Sequence, residues 1–414
     1  SYGEQGNDNI PDYLYTNTYS IVNSVGGPAA KPARMGNKDI TWEKGGNLNV
    51  GVDFELFKNR LNGTIEYFWR KTSDMLFKFS LPTSYGYTSY YANVGDMKNS
   101  GIEITLDGTI IKTKDVKWNL GLNLTHYKNH ISMLPDERKT TTTPEGYKGY
   151  ASGNFFLGEG LSMYSFYMPE YAGVYNKNTW QMTNDTKYDA SKDGLSMWYT
   201  TGYQMTTKPD GTREVVKDTN GEKVESGKRA TTTTHADAKD YIVGRMLPKV
   251  YGGFNTRLEF FGVDFTADFA YQLGGKVYDS QYASFMSPAT SDSRGANIHE
   301  DVLKSWSVSN QGSNLPRYQY NDTDASGLSS RFLTRANYLS LQNLSVGYTL
   351  PASITRKAKI EKVRVYMNAS NVWLWSARRG LDPRTAMINS GYGSSNASYY
   401  STVRTISAGV NVTF

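Results

Sequence analysis

A chain of 414 residues with 38% hydrophobic and 14% aromatic content, no cysteine and a formal net charge of +6 is wet on average yet rich in rings, with 32 Tyr, 16 Phe and 8 Trp. The rings exclude disorder, the missing thiols exclude cysteine catalysis and Cys-based metal sites, and a modest charge without a long Lys/Arg block excludes a nucleic-acid partner. No apolar run reaches the roughly 18 residues of a transmembrane helix, but a strand crosses a membrane with about 9–11 alternating residues, so a β-barrel with a polar lumen and aromatic girdles fits.

In chain order, the first alternating stretch sets Leu48, Val50, Val52, Phe54 and Leu56 against Asn47, Asn49, Gly51, Asp53 and Glu55. After the short turn Phe57–Arg60, Leu61, Ile65, Tyr67 and Trp69 alternate with Asn62, Thr64, Glu66 and Arg70. Ile102, Ile104, Leu106 and Ile110 follow, and past Lys112–Asp115 come Trp118, Leu120, Leu122 and Leu124. Phe254, Leu258 and Phe260 lead through a tight turn near Gly262 to Val263, Phe265, Ala267, Phe269 and Tyr271. Leu344, Val346, Tyr348 and Leu350 pass through Pro351 to Val363, Val365 and Met367. The chain closes on Ile406, Ala408, Val410, Val412 and Phe414, opposed by Thr405, Ser407, Gly409, Asn411 and Thr413. These are hairpins with one apolar and one polar face.

Alternation alone also suits a soluble sandwich; connection length separates the two. The turns after Leu56, Ile111, Phe260 and Leu350 are short, whereas 72–96, 133–161, 206–245, 277–330 and 378–398 are long. Short turns at one end and long loops at the other belong to an outer-membrane barrel. Girdle aromatics fall at both ends: Phe57, Phe260, Phe261, Tyr348 and Phe414 by the short turns, and Tyr67, Trp69, Tyr271, Trp373 and Trp375 toward the loops. Two middle segments, 162–176 and 195–205, are read as further strands, giving about 11 from residue 47 onward. An odd number does not close a bacterial single-chain barrel. Together with an opening at Ser1 that has neither initiator Met nor signal peptide, this predicts a missing N-terminal half.

The motifs are weak. His126 and His130 have the spacing of a metal pair but no third ligand nearby in sequence. Asp322-Thr-Asp324-Ala-Ser326-Gly327 starts like a calcium loop, yet Leu333 stands where an EF-hand needs Glu. No cofactor is expected, with a looser loop Ca2+ site as the alternative to an Asx-turn. Asp264 and Asp268 suit solvated lumen charges better than acid/base chemistry. Asn297 to Trp306 reads as a short helix within a loop, capped by Asn297 with Glu300 behind it. The better signal is in loop aromatics: Tyr85, Tyr87, Tyr90, Tyr91, Trp180, Trp198, Tyr278, Tyr282, Trp306, Tyr392, Tyr399 and Tyr400. Flat amphipathic rings offer stacking and hydroxyls to sugars or peptides, or else pack the loops together.

Tyr338-Leu-Ser-Leu-Gln-Asn-Leu-Ser-Val-Gly-Tyr-Thr-Leu-Pro351, the run Val363 to Ser376, Gly380-Leu-Asp-Pro383 and the ending Arg404 to Phe414 resemble SusC/RagA-family TonB-dependent transporters. Trp42-Glu43, Asn47 to Phe54, Lys71-Thr-Ser-Asp74, Asn93-Val-Gly95, Asn99 to Glu103 and Pro248 to Phe254 extend the resemblance along the chain. It implies an all-β fold, half of a 22-stranded antiparallel transmembrane β-barrel, in which 1–46 is an extracellular loop following a barrel strand and 47–414 holds the C-terminal strands. It further implies an outer-membrane location, an N-terminal barrel half and plug outside this sequence, TonB acting through that plug, a SusD-like surface lipoprotein as lid, and a dimer of such pairs. Val410, Val412 and Phe414 look like the signal read by the barrel-assembly machinery. The expected function is import of oligosaccharides or oligopeptides. The alternatives are an outer-membrane hydrolase using His126 and His130, and a soluble glycan-binding adhesin.

Overall fold

Along each long strand the Leu, Val, Ile and aromatic residues fall on one side and Asn, Thr, Asp and Glu on the other, so pairing edge to edge produces two unlike surfaces. The computed structural model describes residues 1–7, 12–290, 297–387 and 402–414. Its largest sheet contains β1 (Tyr2–Asn7), β2 (Glu43–Leu56), β3 (Leu61–Ser73), β4 (Asp96–Lys112) and β5 (Val116–Met133). It continues through β6 (Val250–Phe260), β7 (Val263–Leu273), β8 (Tyr338–Thr349), β9 (Lys362–Ser376) and β10 (Thr405–Thr413). The spatial order equals the chain order and neighbouring pairs are antiparallel, an up-and-down meander with β1 and β10 at its edges.

The register aligns like with like. Phe54, Gly63, Leu106, Leu122, Phe254, Phe269, Leu341 and Trp373 form one cross-strand row. Phe265, Val346, Met367 and Ala408 form another. This apolar face is uncovered: Val52, Met367 and Val410 are 63%, 51% and 59% exposed. A water-facing sheet would hide such a surface.

Turn chemistry explains the short end. Phe57, Lys58 and Asn59 all take left-handed backbone, reversing the chain at once between β2 and β3. Phe261 and Gly262 do the same between β6 and β7, with φ of 48° and 85°, the geometry of a two-residue hairpin turn. The β8–β9 connection is longer, with a short helix at Ala352–Thr355. At the other end the chain departs for 74–95, 134–249, 274–337 and 377–404.

The two middle segments do not join this sheet. Ser165–Pro169 belongs to a five-stranded sheet with Thr141–Thr142, Lys148–Ser152, Phe155–Gly158 and Asp240–Arg245. Tyr171–Val174 and Ser196–Tyr203 pair within a separate three-stranded sheet completed by Glu225–Thr232. The sheet therefore has ten strands among the described residues, one of them within 1–46, and the count of about 11 from residue 47 is corrected. The reason is physical: at 5, 4 and 8 residues these strands are shorter than a membrane crossing requires. They also bury residues of both parities, Phe166 (0%) beside Ser165 (4%), and Met197 (0%) beside Trp198 (1%). They build a loop layer with its own cores, one around Phe166, Met168, Met246 and Leu247 and another around Ala283, Met286 and Phe332. The helix expected from Asn297 is instead a 3₁₀ turn at Glu300–Lys304, capped by His299, whose Nδ1 accepts from the Asp301 N–H at 3.1 Å.

Candidate substrate passage

The face opposite the apolar rows is the candidate passage wall. Glu55, Asn62, Asp107, Gly121, Asn255, Asp268, Asn343, Ser370 and Thr405 make one row across nine strands. Its polar groups bond sideways: Thr64 Oγ1 donates to Asp53 (2.6 Å), Thr109 Oγ1 to Asn119 (2.9 Å) and Ser345 Oγ to Asn368 (2.7 Å). The Asp264 carboxylate is gripped by two guanidinium nitrogens of Arg364, Nε at 2.8 Å and Nη2 at 2.5 Å. Arg364 stands on β9 and Asp264 on β7, so the pair reaches over β8 at Gly347, where any Cβ would meet Arg364 and Asp264 atoms at 2.5 and 2.6 Å. Asp268, four residues on, lies 3.5 Å from the amide of Asn343. The two carboxylates thus have separate partners.

A concavity of about 680 Å³ at the short-turn end is lined by Lys114, Lys117, Arg257, Glu259, Lys362 and Arg364. At the long-loop end, a narrower cavity of about 230 Å³ lies where the polar face meets the loop layer. Tyr127, Tyr251 and Gln272 of the sheet wall it, with Lys276, Pro248 and Pro383 from the loops. Tyr127 and Tyr251 meet edge to face with centroids 6.1 Å apart. Sequence reading missed these residues. Tyr127 and Tyr251 are in phase with the polar side of their strands, a signal that could have found them, but Lys276 is brought in by tertiary contact.

His126 Nδ1 lies 2.5 Å from the Lys249 carbonyl, while His130 is opposite Lys98 one strand over. Among the described residues no group of three His, Asp or Glu is placed to hold a metal ion. The carboxylates of the calcium-like segment serve as backbone caps, Asp322 accepting from the Ala325 N–H (3.0 Å) and Asp324 from the His235 N–H (2.9 Å).

The loop aromatics divide by burial. Tyr85 is 62% exposed, and Tyr87 touches Tyr19 hydroxyl to hydroxyl at 3.3 Å. Tyr90 stacks on Phe79 at 5.1 Å, and Tyr91 takes the Asn37 amide on its carbonyl at 3.0 Å. Trp180 lies under the Arg213 guanidinium at 4.7 Å. Trp198 is 1% exposed and packs edge-on against His235, so it is a core residue of the loop layer with no surface to offer a ligand. Trp306 closes over Gly194, leaving no room there for a Cβ. Tyr278 packs on Phe332, and the Tyr282 hydroxyl donates to Asp301 at 2.9 Å beneath Arg378. Tyr392, Tyr399 and Tyr400 lie outside the described residues. Burial pushes the Tyr171 and Tyr278 hydroxyls up to about 12. Burial, then the bond to Asp301, does the same to Tyr282, and the bond to Asp193 does so to Tyr188. Lys304 holds Asp301 below the usual carboxylate range.

The family model described as "TonB dependent receptor-like, beta-barrel" matches residues 1–206. TonB-dependent receptor P3 of Formosa agariphila is 29% identical over 430 residues, covering 100% of this chain and 39% of the relative. TonB-dependent receptor SusC of Bacteroides thetaiotaomicron is 23% identical over 398 residues, covering 92% of this chain and 34% of SusC. Among solved structures, the RagAB peptide transporter superposes with a TM-score of 0.71 at 25% identity, covering all of this chain and 40% of that one. The "closed-closed" RagAB peptide importer gives 0.70 at 26%. The chain thus spans about two fifths of the relatives' length. With its meander of long two-faced strands, short turns at one end and folded loops at the other, the chain belongs to the TonB-dependent receptor β-barrel family and corresponds to the C-terminal part of its SusC- and RagA-type members.

Proposed function

We propose that the chain is the C-terminal portion of an outer-membrane barrel that imports oligopeptides or oligosaccharides, with its long loops extracellular. The observation that carries this reading is the pairing of an uncovered apolar face with a polar face continuous across nine strands: one surface suits lipid and the other a wet passage. The apolar face rules against the soluble adhesin. His126 bonded to the Lys249 carbonyl, and Asp264 and Asp268 held by separate partners, support transport over hydrolysis.

In this reading the remaining barrel half and a plug close the passage, TonB supplies work from the inner-membrane proton gradient through the plug, and a SusD-like lipoprotein lids the loops in a dimer of pairs. The exposed ring of Tyr85 and the half-buried ring of Tyr87 beside it are the leading candidates for ligand contact. Val410, Val412 and Phe414 form the assembly signal. RagAB is named a peptide transporter, which favours oligopeptides over glycans here.

The test is uptake by cells expressing the full-length protein, with mass spectrometry of material released from the purified complex. Accumulation of labelled oligomer that collapses with a protonophore is expected, together with a ladder of peptides in the released material. A single defined oligosaccharide would shift the substrate class. Uptake indifferent to the proton gradient would overturn the reading.

A further inference from the structure

Lys276 is threaded into the narrow cavity past Gly244, where a Cβ would stand 2.8 Å from its Cδ, and its Nζ donates to the Val243 carbonyl at 2.5 Å. That one bond leaves two N–H groups of the ammonium to be satisfied. Lys276 forms no ion pair among the described residues, although it is half-buried. The nearby carboxylate of Glu170 is already taken by Arg229 at 2.6 Å. Directly across the two-stranded ladder from Lys276 stands Arg335, and Arg245 carries a third cation close to the Tyr127 hydroxyl. Neither arginine is in an ion pair among the described residues. Like charges facing across a ladder are destabilising, and a half-buried unpaired cation costs more still. Such an arrangement is stabilised when an anion binds. Around it lie the flat edges of Tyr127 and Tyr251, the rings of Pro248 and Pro383, and Gln272, whose amide nitrogen is spent on the Ala336 carbonyl at 3.0 Å, leaving its oxygen as an acceptor.

We infer that this cavity binds the carboxylate of a transported oligomer, holding the anion on Lys276 with Arg335 and Arg245 behind it, and the adjoining residue against Tyr127 and Tyr251. The inference rests on the import reading and deepens it: a substrate with an acidic end group is selected over its neutral counterpart. A peptide C-terminus and a uronic acid share this chemistry, and a volume of about 230 Å³ admits a single residue or a single sugar ring, not a folded partner.

Titration calorimetry on the full-length transporter with its lipoprotein tests this with four probes. These are a short peptide with a free C-terminus, the same peptide as its C-terminal amide, an oligogalacturonate and a neutral malto-oligosaccharide. The acid of one pair should bind about tenfold tighter than its neutral partner, the scale of a charge-assisted hydrogen bond. Which pair shows the preference identifies the source. Lys276→Gln should erase the preference, acid and neutral probes of the discriminated pair then binding alike. Because Lys276 also fills space beside Gly244, Arg335→Gln at an exposed position is the second variant, expected to reduce the preference about threefold with the fold untouched. Equal affinity for acid and neutral probes in the unaltered protein would overturn the site and leave the import reading standing, as would a preference that survives both substitutions. Failure of all four probes to bind would overturn both.

Discussion

Single residues do two kinds of work in this chain. On the polar wall, Arg364 spans a whole strand to reach Asp264 because Gly347 leaves the crossing open. In the loops, Arg213 acts through carbonyls instead of an ion pair: it donates to those of Gln181, Thr183 and Asp185 while lying over Trp180. Such contacts resist salt better than surface ion pairs do. Tyrosines supply the titratable signature of the loop layer. Tyr171, Tyr188, Tyr278 and Tyr282 are raised from 10.0 to about 12. A folded value above the unfolded one gives stability that is complete below pH 10 and is lost as pH rises through about 12. Tyrosinate absorbance against pH should therefore show a group of late-ionising tyrosines in the folded protein and none after denaturation. Coincident folded and denatured curves would contradict the loop packing.

Among the elements, the sheet and the loop layer are stabilised differently. Long strands need only their ladder and the medium on each face. The short strands of 134–249 depend on a packed interior, with Trp198, Phe166 and Met168 almost wholly enclosed. Trp198→Ala should cost the loop layer about 3–5 kcal/mol. Limited proteolysis should then cut within 134–249 while heat-dependent electrophoretic mobility of the barrel is retained; unchanged protease resistance would count against an independent loop core. The same distinction explains what could be read from the sequence. Val363, Val365 and Met367 announce a strand by simple alternation, and Phe261-Gly262 announces its turn. Tyr167 and Trp198 also sit in alternating runs, yet they belong to loop sheets, because local periodicity does not say what lies on either side of a strand.

For the whole molecule, the decisive property is an apolar surface left uncovered while charged residues line the opposite face. Met367, midway along β9 and 51% exposed, and Asn368, bonded to Ser345 on the polar side, are adjacent in sequence and opposite in environment. Met367→Arg should cost about 2–4 kcal/mol on refolding into lipid vesicles, and Asn368→Arg much less. Equal effects would mean that the two faces see the same medium.

Strand positions, most reversals, the segregation of short and long connections and the family were all determined by the sequence itself. Each depends on period, turn chemistry or motif, which neighbouring residues specify on their own. Sheet membership of the middle strands, the enclosure of Trp198, and the gathering of Lys276, Arg335, Tyr127 and Tyr251 around one cavity were decided by tertiary structure. Those contacts join segments far apart in the chain, and only closure of the loops over the sheet brings them within reach of one another.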